Sequence, residues 1–278
     1  MAFNQLRQVK YILNNFQCSL GQRKNGVQLG GEIILNNFMK QKHRHIPVTI
    51  NNIPIHTKAD YQKGFNAVRN NIGVNKINVN IGGDHSIAAA SIQPLLEHYK
   101  QDLLVIWIDA HADLNTYEAS LTKNIHGMPV GALTGLMDHW YKGKDDKSKR
   151  TILDVKNLLY VGIRDLDVFE WDTINKRGIR YFPTYTNDVI QFIKAHPARH
   201  IHISCDIDSM DPHIMPSTGT PVPQGLTLKN VLNIIKVAKP RLIGFDLVEF
   251  NPLIGNRRKV RTTLNNIHRI LSKVITYV

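Results

Sequence analysis

Cysteine is scarce in this sequence: only Cys18 and Cys205 occur among its 278 residues. Two thiols cannot build the disulfide framework on which small secreted domains depend, so a reducing, cytoplasmic setting is predicted. Cys205 adjoins an aspartate, but strand alternation should turn it to the opposite face as a small buried apolar residue. Neither thiol is therefore expected to bind a metal.

Long apolar runs are also missing. No stretch approaches the roughly 20 residues that cross a bilayer, and no apolar segment with a small-residue cleavage site opens the chain. Residues 1–31 contain no acidic side chain, a composition shared with transit peptides, yet VKYIL (9–13) is better interpreted as the first strand of the fold. No membrane association is expected.

Acidic residues are outnumbered: 22 Asp and Glu face 35 Lys and Arg, for a net charge of +13. A chain this basic could bind nucleic acid. However, it has no Cys/His finger spacing and no RNP-like aromatic motif, and its basic residues cluster only at 142–150 and 256–261. A solvated basic surface is the better interpretation, and no nucleic-acid partner is predicted.

What the sequence does contain is an alternation of apolar, β-rich segments with helical patterns. Strands are predicted at 9–13, 77–82, 103–109, 157–163, 200–207 and 242–247. Helices are predicted near 28–41, 57–71, 86–99, 167–177, 186–196, 227–238 and 258–275. Continuous apolar strands separated by helices are typical of a mainly parallel sheet covered on both faces. Since no linker or repeat interrupts this pattern, a single domain over 1–278 is predicted.

Polar motifs rich in Asp and His close four of these strands. They are GGDHS (82–86), DAHAD (109–113), DID (206–208) and DLVE (246–249). Ligands of open parallel sheets bind beyond the carboxyl ends of the strands, so the four motifs should meet at one edge. The sequence therefore predicts a site at that edge.

Alternation along an extended segment predicts which of these side chains converge. Residues two apart face the same way, which groups Asp109 with His111 and Asp113, and Asp206 with Asp208. His85 from the neighbouring loop completes a set of four carboxylates and two imidazoles, while Asp84 beside it is expected to cap the turn or orient His85. The members are His85, Asp109, His111, Asp113, Asp206 and Asp208.

Crowding four carboxylates without a cation would force some of them to protonate. Two divalent metals remove that problem, with the paired acids bridging them. Oxygen and nitrogen donors without thiolate favour Mn²⁺, with Zn²⁺, Co²⁺ or Fe²⁺ as substitutes. A pair of such metals activates water near neutral pH, so the motifs predict hydrolysis of a small electrophile.

These motifs resemble those of the ureohydrolase family, most closely its arginase group. The matching segments are GGDHSI, IDAHADLNT, SCDIDSMDP with TGTPVPQGLT, and GFDLVEFNP, and SLGQRKNGVQLG (19–30) is similar to the family's first loop. The resemblance covers nearly the whole chain. It implies a three-layer α/β/α fold with a mainly parallel β-sheet, two Mn²⁺ per subunit, and a homo-oligomer, either trimer or hexamer.

The resemblance also implies individual roles. All six members of the set above would bind metal, with Asp109 and Asp206 among the bridging acids. His126 in NIHGMPV matches the family's proton-shuttle histidine, and imidazole chemistry suits that role, although a plain loop histidine is the alternative. Glu249 matches the acid that pairs with the substrate guanidinium. With Asp113, these two residues make up the predicted catalytic set.

Further positions concern the α-amino acid end of the substrate. Asn115, Thr122 and Asn124 of NTYEASLTKN match the arginase specificity loop, with Thr122 standing where serine is usual. Asp167 and Glu170 match two acids that hold the α-ammonium. They could instead simply begin a helix, where acids are favoured.

Two more residues bear on the substrate. Thr220 lies where the family places a hydroxyl near the guanidinium, with a structural turn as the alternative. Lys123 replaces a small residue of the specificity loop and puts a cation near the mouth. The resulting prediction is hydrolysis of L-arginine to L-ornithine and urea. The alternatives are agmatine or another guanidino compound as substrate and, from a different class, a basic nucleic-acid-binding or regulatory protein that retains the fold.

Overall fold

The computed structural model describes residues 9–40, 48–140 and 150–275, and these form a parallel eight-stranded sheet. The strands are β1 Lys10–Cys18, β2 Val48–Ile55, β3 Lys76–Ile81, β4 Leu103–Ile108, β5 Leu158–Val161, β6 Arg180–Phe182, β7 His200–Asp206 and β8 Leu242–Val248. The helices are α1 Gly30–Lys40, α2 Tyr61–Arg69, α3 Ala88–Tyr99, α4 Pro129–Leu133, α5 Val168–Arg177, α6 Asn187–Ala195, α7 Leu228–Ala238 and α8 Arg257–Val274.

Helices cover both faces of the sheet, which confirms the predicted three-layer α/β/α fold. Leu104, Ile106 and Ile108 of β4 pack on one face with α1, α6, α7 and α8, while the intervening residues of β4 pack on the other with α2 to α5. Every residue of β4 is buried. This two-sided burial explains why the central strands are continuous apolar runs.

The six predicted strands and seven predicted helices are all present, with bounds that differ by a few residues. Two strands and the short helix α4 were not predicted. β2 alternates polar and apolar residues and contains Pro54, which an edge strand tolerates because one side of it needs no ladder hydrogen bond. β6 has only three residues. Most of the charged stretch 138–150, predicted to be a surface loop, lies outside the described residues.

Strand order places the polar motifs side by side. The sheet runs β2-β1-β3-β8-β7-β4-β5-β6, so the four strands that precede the motifs are adjacent at its centre. All pairs are parallel, and their carboxyl ends therefore share one edge. Within the described part of the chain, none of the helices has the length and apolarity needed for a membrane crossing.

Candidate metal centre and active site

Turns, rather than strand alternation, bring the acidic side chains together. β4 ends at Ile108, and Asp113 has a left-handed backbone with φ of 50°. Asp109 accepts the backbone N–H of His111 at 2.8 Å. The prediction that these residues alternate along a strand was therefore wrong. These side chains converge because the loop after β4 turns and its backbone donates a hydrogen bond to the Asp109 carboxylate.

The second acidic pair is arranged by a similar turn. Asp206 is the last residue of β7, and its Oδ1 accepts the N–H of Asp208 at 2.7 Å. Residues Ile207–Ser209 form a short 3₁₀ turn instead of extended chain. The expected alternation was wrong here too, although Cys205 does lie buried in the apolar core as predicted.

A first group of donors surrounds the imidazole of His85. Its Nδ1 lies 2.9 Å from Asp109 Oδ2, 3.1 Å from Asp113 Oδ2 and 3.6 Å from Asp206 Oδ2. Asp206 and His85 are almost fully buried. His85, Asp109 and Asp113 each offer one atom within a sphere small enough to hold a metal ion.

A second group surrounds the imidazole of His111. Its Nδ1 lies 3.4 Å from Asp109 Oδ1 and 3.3 Å from Asp208 Oδ2, and these three residues could hold a second ion. Asp109 thus presents one oxygen to each histidine. That is the geometry a bridging carboxylate requires. We call the six residues of the two groups the metal cluster.

The orientation of His85 tests whether a cation fits the first group. The Ser204 hydroxyl donates to Asp246 Oδ2 at 3.0 Å, so its oxygen is left to accept from His85 Nε2, 2.9 Å away. Nδ1 then faces the carboxylates, and it is buried without a partner in hydrogen-bond geometry among the described residues. Trp107 stacks on the ring at 4.0 Å and keeps water from that side. A divalent ion at Nδ1 satisfies this arrangement.

The electrostatics of the metal cluster show the same need for positive charge. Burial, followed by the charges of Asp208 and Asp109, raises the pKa of Asp206 well above its usual value. Burial and Asp109 raise the pKa of Asp113 to about 6. Although burial opposes it, the surrounding carboxylates raise the pKa of His85. Without metal, protons supply the missing charge, and a bound metal would displace them.

Beside the metal cluster, Glu249 and His126 form a second functional unit. Glu249 follows β8 with a left-handed φ of 69° and is buried. Its Oε1 accepts the backbone N–H of His85 at 2.9 Å and lies 3.0 Å from His126 Nδ1, while Oε2 accepts Gln22 Nε2 at 2.6 Å. Although burial opposes ionisation, the bond to His126 lowers the pKa of Glu249.

The same contact favours the protonated form of the His126 imidazole. Burial favours a neutral ring, but the hydrogen bond and charge of Glu249 raise the pKa of His126 to about 9. Asp84 fixes the loop before α3, since it caps the turn at Ser86 and accepts the N–H of Gly21 at 2.8 Å. Asp84 thereby ties residues 19–26 to the site.

Of the residues predicted to bind the α-amino acid end of the substrate, Asn115, Asp167 and Glu170 lie together at the start of α5, while Thr122 and Asn124 lie in the loop between Asn115 and His126. We call Asn115, Thr122, Asn124, Asp167 and Glu170 the rim. Asp167 caps α5 and forms a reciprocal capping box with Glu170, so the helix-start alternative is correct as a structural description. Glu170 also accepts the N–H of Leu114 at 3.0 Å, and burial raises its pKa to about 8.

Asn115 connects Asp167 of the rim to the loop of residues 109–113. Its Nδ2 donates to Asp167 Oδ2 at 2.7 Å, and its Oδ1 is buried without a hydrogen-bond partner among the described residues. Thr122 Oγ1 accepts the N–H of Asn124 at 3.3 Å and is exposed. Lys123 turns its ammonium back to its own loop, donating to the carbonyl oxygens of Tyr117 and Glu118.

Thr220 faces the metal cluster. Its hydroxyl donates to Asp208 Oδ2 at 2.8 Å, and the residue is half-buried. It therefore orients a predicted metal ligand while lying next to the open side of the site.

Sequence reasoning assigned no role to Gln22, Trp107, Ser204 or Asp246. Gln22 donates to Glu249, Ser204 and Trp107 contact His85, and Asp246 accepts from Ser204. Trp107 Nε1 also donates to Asp109 Oδ2 at 3.1 Å. A signal for two of them was present, since Ser204 and Asp246 lie two and three residues before a predicted ligand or catalytic acid on buried strands.

Comparison with known proteins places this geometry in context. The model of the arginase family matches residues 10–275. An arginase of Schizosaccharomyces pombe is 30% identical over 284 residues, which cover 90% of this chain and 87% of the relative. The structure of Entamoeba histolytica arginase in complex with L-ornithine is similar with a TM-score of 0.81 at 29% identity, covering 95% of this chain and 98% of that one. Arginase from Bacillus subtilis gives a TM-score of 0.83 at 25% identity, covering 98% and 99%.

Proposed function

This chain belongs to the arginase family, and on that premise we propose that it hydrolyses L-arginine to L-ornithine and urea with two bound Mn²⁺ ions. The observation that carries the proposal is Asp109, whose two oxygens face two imidazoles beside the buried Glu249 and its half-buried partner His126. The curated relatives of similar length are named arginase, which supports the choice of reaction.

The metal cluster fits two divalent ions. His85, Asp109, Asp113 and Asp206 would hold one, and Asp109, His111 and Asp208 the other; a bridging role for Asp206 stays a prediction. When bound, such ions activate water as a nucleophile near neutral pH and offset the charge of the carboxylates. Imidazole and carboxylate donors suit Mn²⁺.

Glu249 is the group that would orient the guanidinium. A planar cation with several N–H donors pairs best with a fixed, ionised carboxylate. In the structure, the amide N–H of Gln22 donates to Glu249 Oε2. A guanidinium that pairs with this oxygen would replace that N–H with one of its own. His85 and His126 hold the other oxygen, which keeps the carboxylate in one orientation.

His126 would deliver the proton that the reaction needs. As the bond between the guanidinium carbon and the ornithine nitrogen breaks, the departing amine must gain a proton. Nδ1 of His126 faces Glu249, so Nε2 is the nitrogen available to the substrate. Its raised pKa, about 9, keeps the ring protonated near neutral pH, as a general acid requires.

The rim would bind the α-amino acid end. Asp167 and Glu170 place carboxyl groups where an α-ammonium would bind, and Asn115 Oδ1 is a buried acceptor without a hydrogen-bond partner among the described residues. Agmatine, which lacks the α-carboxylate of arginine, is the second candidate substrate. The capping box and the Asn115–Asp167 bond already engage several rim groups within the fold, so these groups do not require a substrate carboxylate.

The setting of the enzyme is part of the proposal. We expect a cytoplasmic homo-oligomer, trimer or hexamer, with no nucleic-acid partner. Light scattering on the purified protein measures the oligomeric state. Salt-sensitive binding to an oligonucleotide would contradict the expected lack of a nucleic-acid partner.

A substrate screen tests the proposed function. The protein is loaded with Mn²⁺ and urea is measured with L-arginine, agmatine and other guanidino acids at equal concentration. Urea from arginine alone supports the proposal, urea chiefly from agmatine favours the alternative, and no urea from any guanidino compound contradicts both.

A further inference from the structure

One cross-strand row of side chains crosses five strands of the sheet and is polar throughout. The register pairs Asn51 with Asn14, Asn14 with Asn80, Asn80 with Asp246, and Asp246 with Ser204. Asn14, Asn80, Asp246 and Ser204 are fully or almost fully buried. Such a row interrupts an otherwise apolar layer, and buried polar groups are tolerated only when their partners are complete.

The hydrogen bonds of this row all point toward Asp246. Asn51 Nδ2 donates to Asn14 Oδ1 at 2.8 Å, Asn14 Nδ2 to Asn80 Oδ1 at 2.8 Å, and Asn80 Nδ2 to Asp246 Oδ1 at 2.6 Å. Asn14 donates to the amide oxygen of Asn80, so that oxygen must point toward Asn14. If the Asn80 amide flipped, its N–H group would face the N–H group of Asn14. Its N–H group is therefore fixed on the carboxylate.

The other oxygen of Asp246 leads to the metal cluster. Asp246 Oδ2 accepts from the hydroxyls of Ser91 and Ser204, at 2.8 and 3.0 Å, and lies 2.9 Å from His202 Nε2. Ser204 in turn contacts His85 Nε2 at 2.9 Å. The row thus ends on the ring nitrogen opposite the one that faces Asp109 and its neighbours.

We propose that Asn80, locked by Asn14, is a positioning residue that holds Asp246 so that Ser204 keeps Nδ1 of His85 turned to the metal. This inference rests on the proposed function, since it assumes that His85 binds Mn²⁺. The groups that support a ligating histidine set its orientation and basicity, and their loss typically weakens metal binding by tenfold or more. Asn80 acts through two intermediate residues and touches neither metal nor substrate.

A matched pair of variants separates positioning from mere stability. Asn78 lies two residues before Asn80 on the same face of β3 and is equally buried, but it bonds to Asn14 and to the carbonyl of Asn71. Both Asn80→Leu and Asn78→Leu remove one buried amide of similar shape. Calorimetric titration of Mn²⁺ into metal-free protein is expected to show binding about tenfold weaker in Asn80→Leu and changed less than twofold in Asn78→Leu.

A second readout uses the Mn²⁺ dependence of urea release. Asn80→Leu is expected to need about tenfold more Mn²⁺ for half-maximal activity and to regain the wild-type maximum, which a distorted active site would not do. If Asn80→Leu does not fold, Asn80→Ser takes its place with an expected weakening of about threefold, because a short hydroxyl only partly replaces the amide donor.

Several results would overturn the inference. They are unchanged Mn²⁺ affinity in both Asn80 variants, or equal weakening in the Asn78 control. If the wild-type protein binds two Mn²⁺ and releases urea while Asn80→Leu keeps the wild-type Mn²⁺ affinity, only this inference is overturned. A wild-type protein that binds no Mn²⁺ overturns the proposed function and the inference with it.

Discussion

The metal cluster and the rim lie at the same edge of the sheet but satisfy their polar groups in opposite ways. In the metal cluster, carboxylates face one another and the two imidazoles, and burial together with neighbouring carboxylates raises the pKa of both Asp206 and Asp113. In the rim, Asp167 and Glu170 are already paired with the first turn of α5. The metal cluster needs a ligand to balance its charges, whereas Asp167 and Glu170 of the rim are already hydrogen-bonded within the fold and only Asn115 Oδ1 is buried there without a partner among the described residues.

This difference indicates where ligand binding contributes most. A ligand that enters the metal cluster replaces repulsion between buried charges, so each residue there should matter greatly. A substrate that enters the rim must compete with capping contacts worth about 1 kcal/mol, so single rim residues should matter less. We therefore expect the effect of a substitution on activity to decrease from the metal cluster to the rim.

Asp109→Asn is expected to have the largest effect. The amide keeps the shape but removes the charge shared between His85 and His111, and urea release should fall by on the order of 10³. Steady-state kinetics at saturating Mn²⁺ measure it. The exposed Asp172 on α5 provides the control as Asp172→Asn, and an Asp109 variant as active as this control would contradict the bridging role.

His126→Asn comes next. Without an acidic imidazole beside Glu249, kcat should fall by about a hundredfold because the leaving amine must find its proton elsewhere. Mn²⁺ affinity should change less than threefold, since among the described residues His126 makes no hydrogen bond to the metal cluster and interacts with Asp113 only through charge. A fall in KM and kcat together with lost metal would instead indicate a structural role.

Asn115→Leu should act on one substrate only. Losing the bond to Asp167 and the acceptor at Oδ1 should raise KM for arginine by about tenfold while kcat changes little. A guanidino acid without the α-amino group, 4-guanidinobutanoate, serves as the internal control because it has no ammonium for Asn115 Oδ1 to accept from. An equal rise in KM for both compounds would place Asn115 in loop structure rather than recognition.

Lys123→Ala is expected to have the smallest effect. The ammonium of Lys123 is held by the carbonyl oxygens of Tyr117 and Glu118, so its charge is directed to its own loop. KM for arginine should change less than threefold, as is usual for an exposed charge. A tenfold change would show that the cation acts on the substrate directly.

The sequence was most informative where burial dictates composition. β4 and β7 were predicted because their residues are apolar on both faces, and the site edge followed because each polar motif begins where such a strand ends. β2 escaped prediction because half of its residues face outward at the edge of the sheet. The resemblance supplied His126 and Glu249, which no spacing rule relates across 123 positions.

What the sequence could not provide was the path of the backbone after each strand. The left-handed φ of Asp113 and the turn at Ile207–Ser209 depend on hydrogen bonds to carboxylates that come from the same motifs. Likewise, the row from Asn14 to Ser204 depends on register between strands distant in the chain. Strand pairing, and not local pattern, decides which buried asparagine meets which aspartate.

Metal stoichiometry tests the central claim most directly. The purified protein is loaded with Mn²⁺ and dialysed, its metal content is measured by mass spectrometry, and anomalous scattering from its crystals locates the ions. Two ions per chain are expected, one on either side of the Asp109 carboxylate. Fewer than two ions per chain, or ions bound away from that carboxylate, would contradict this claim.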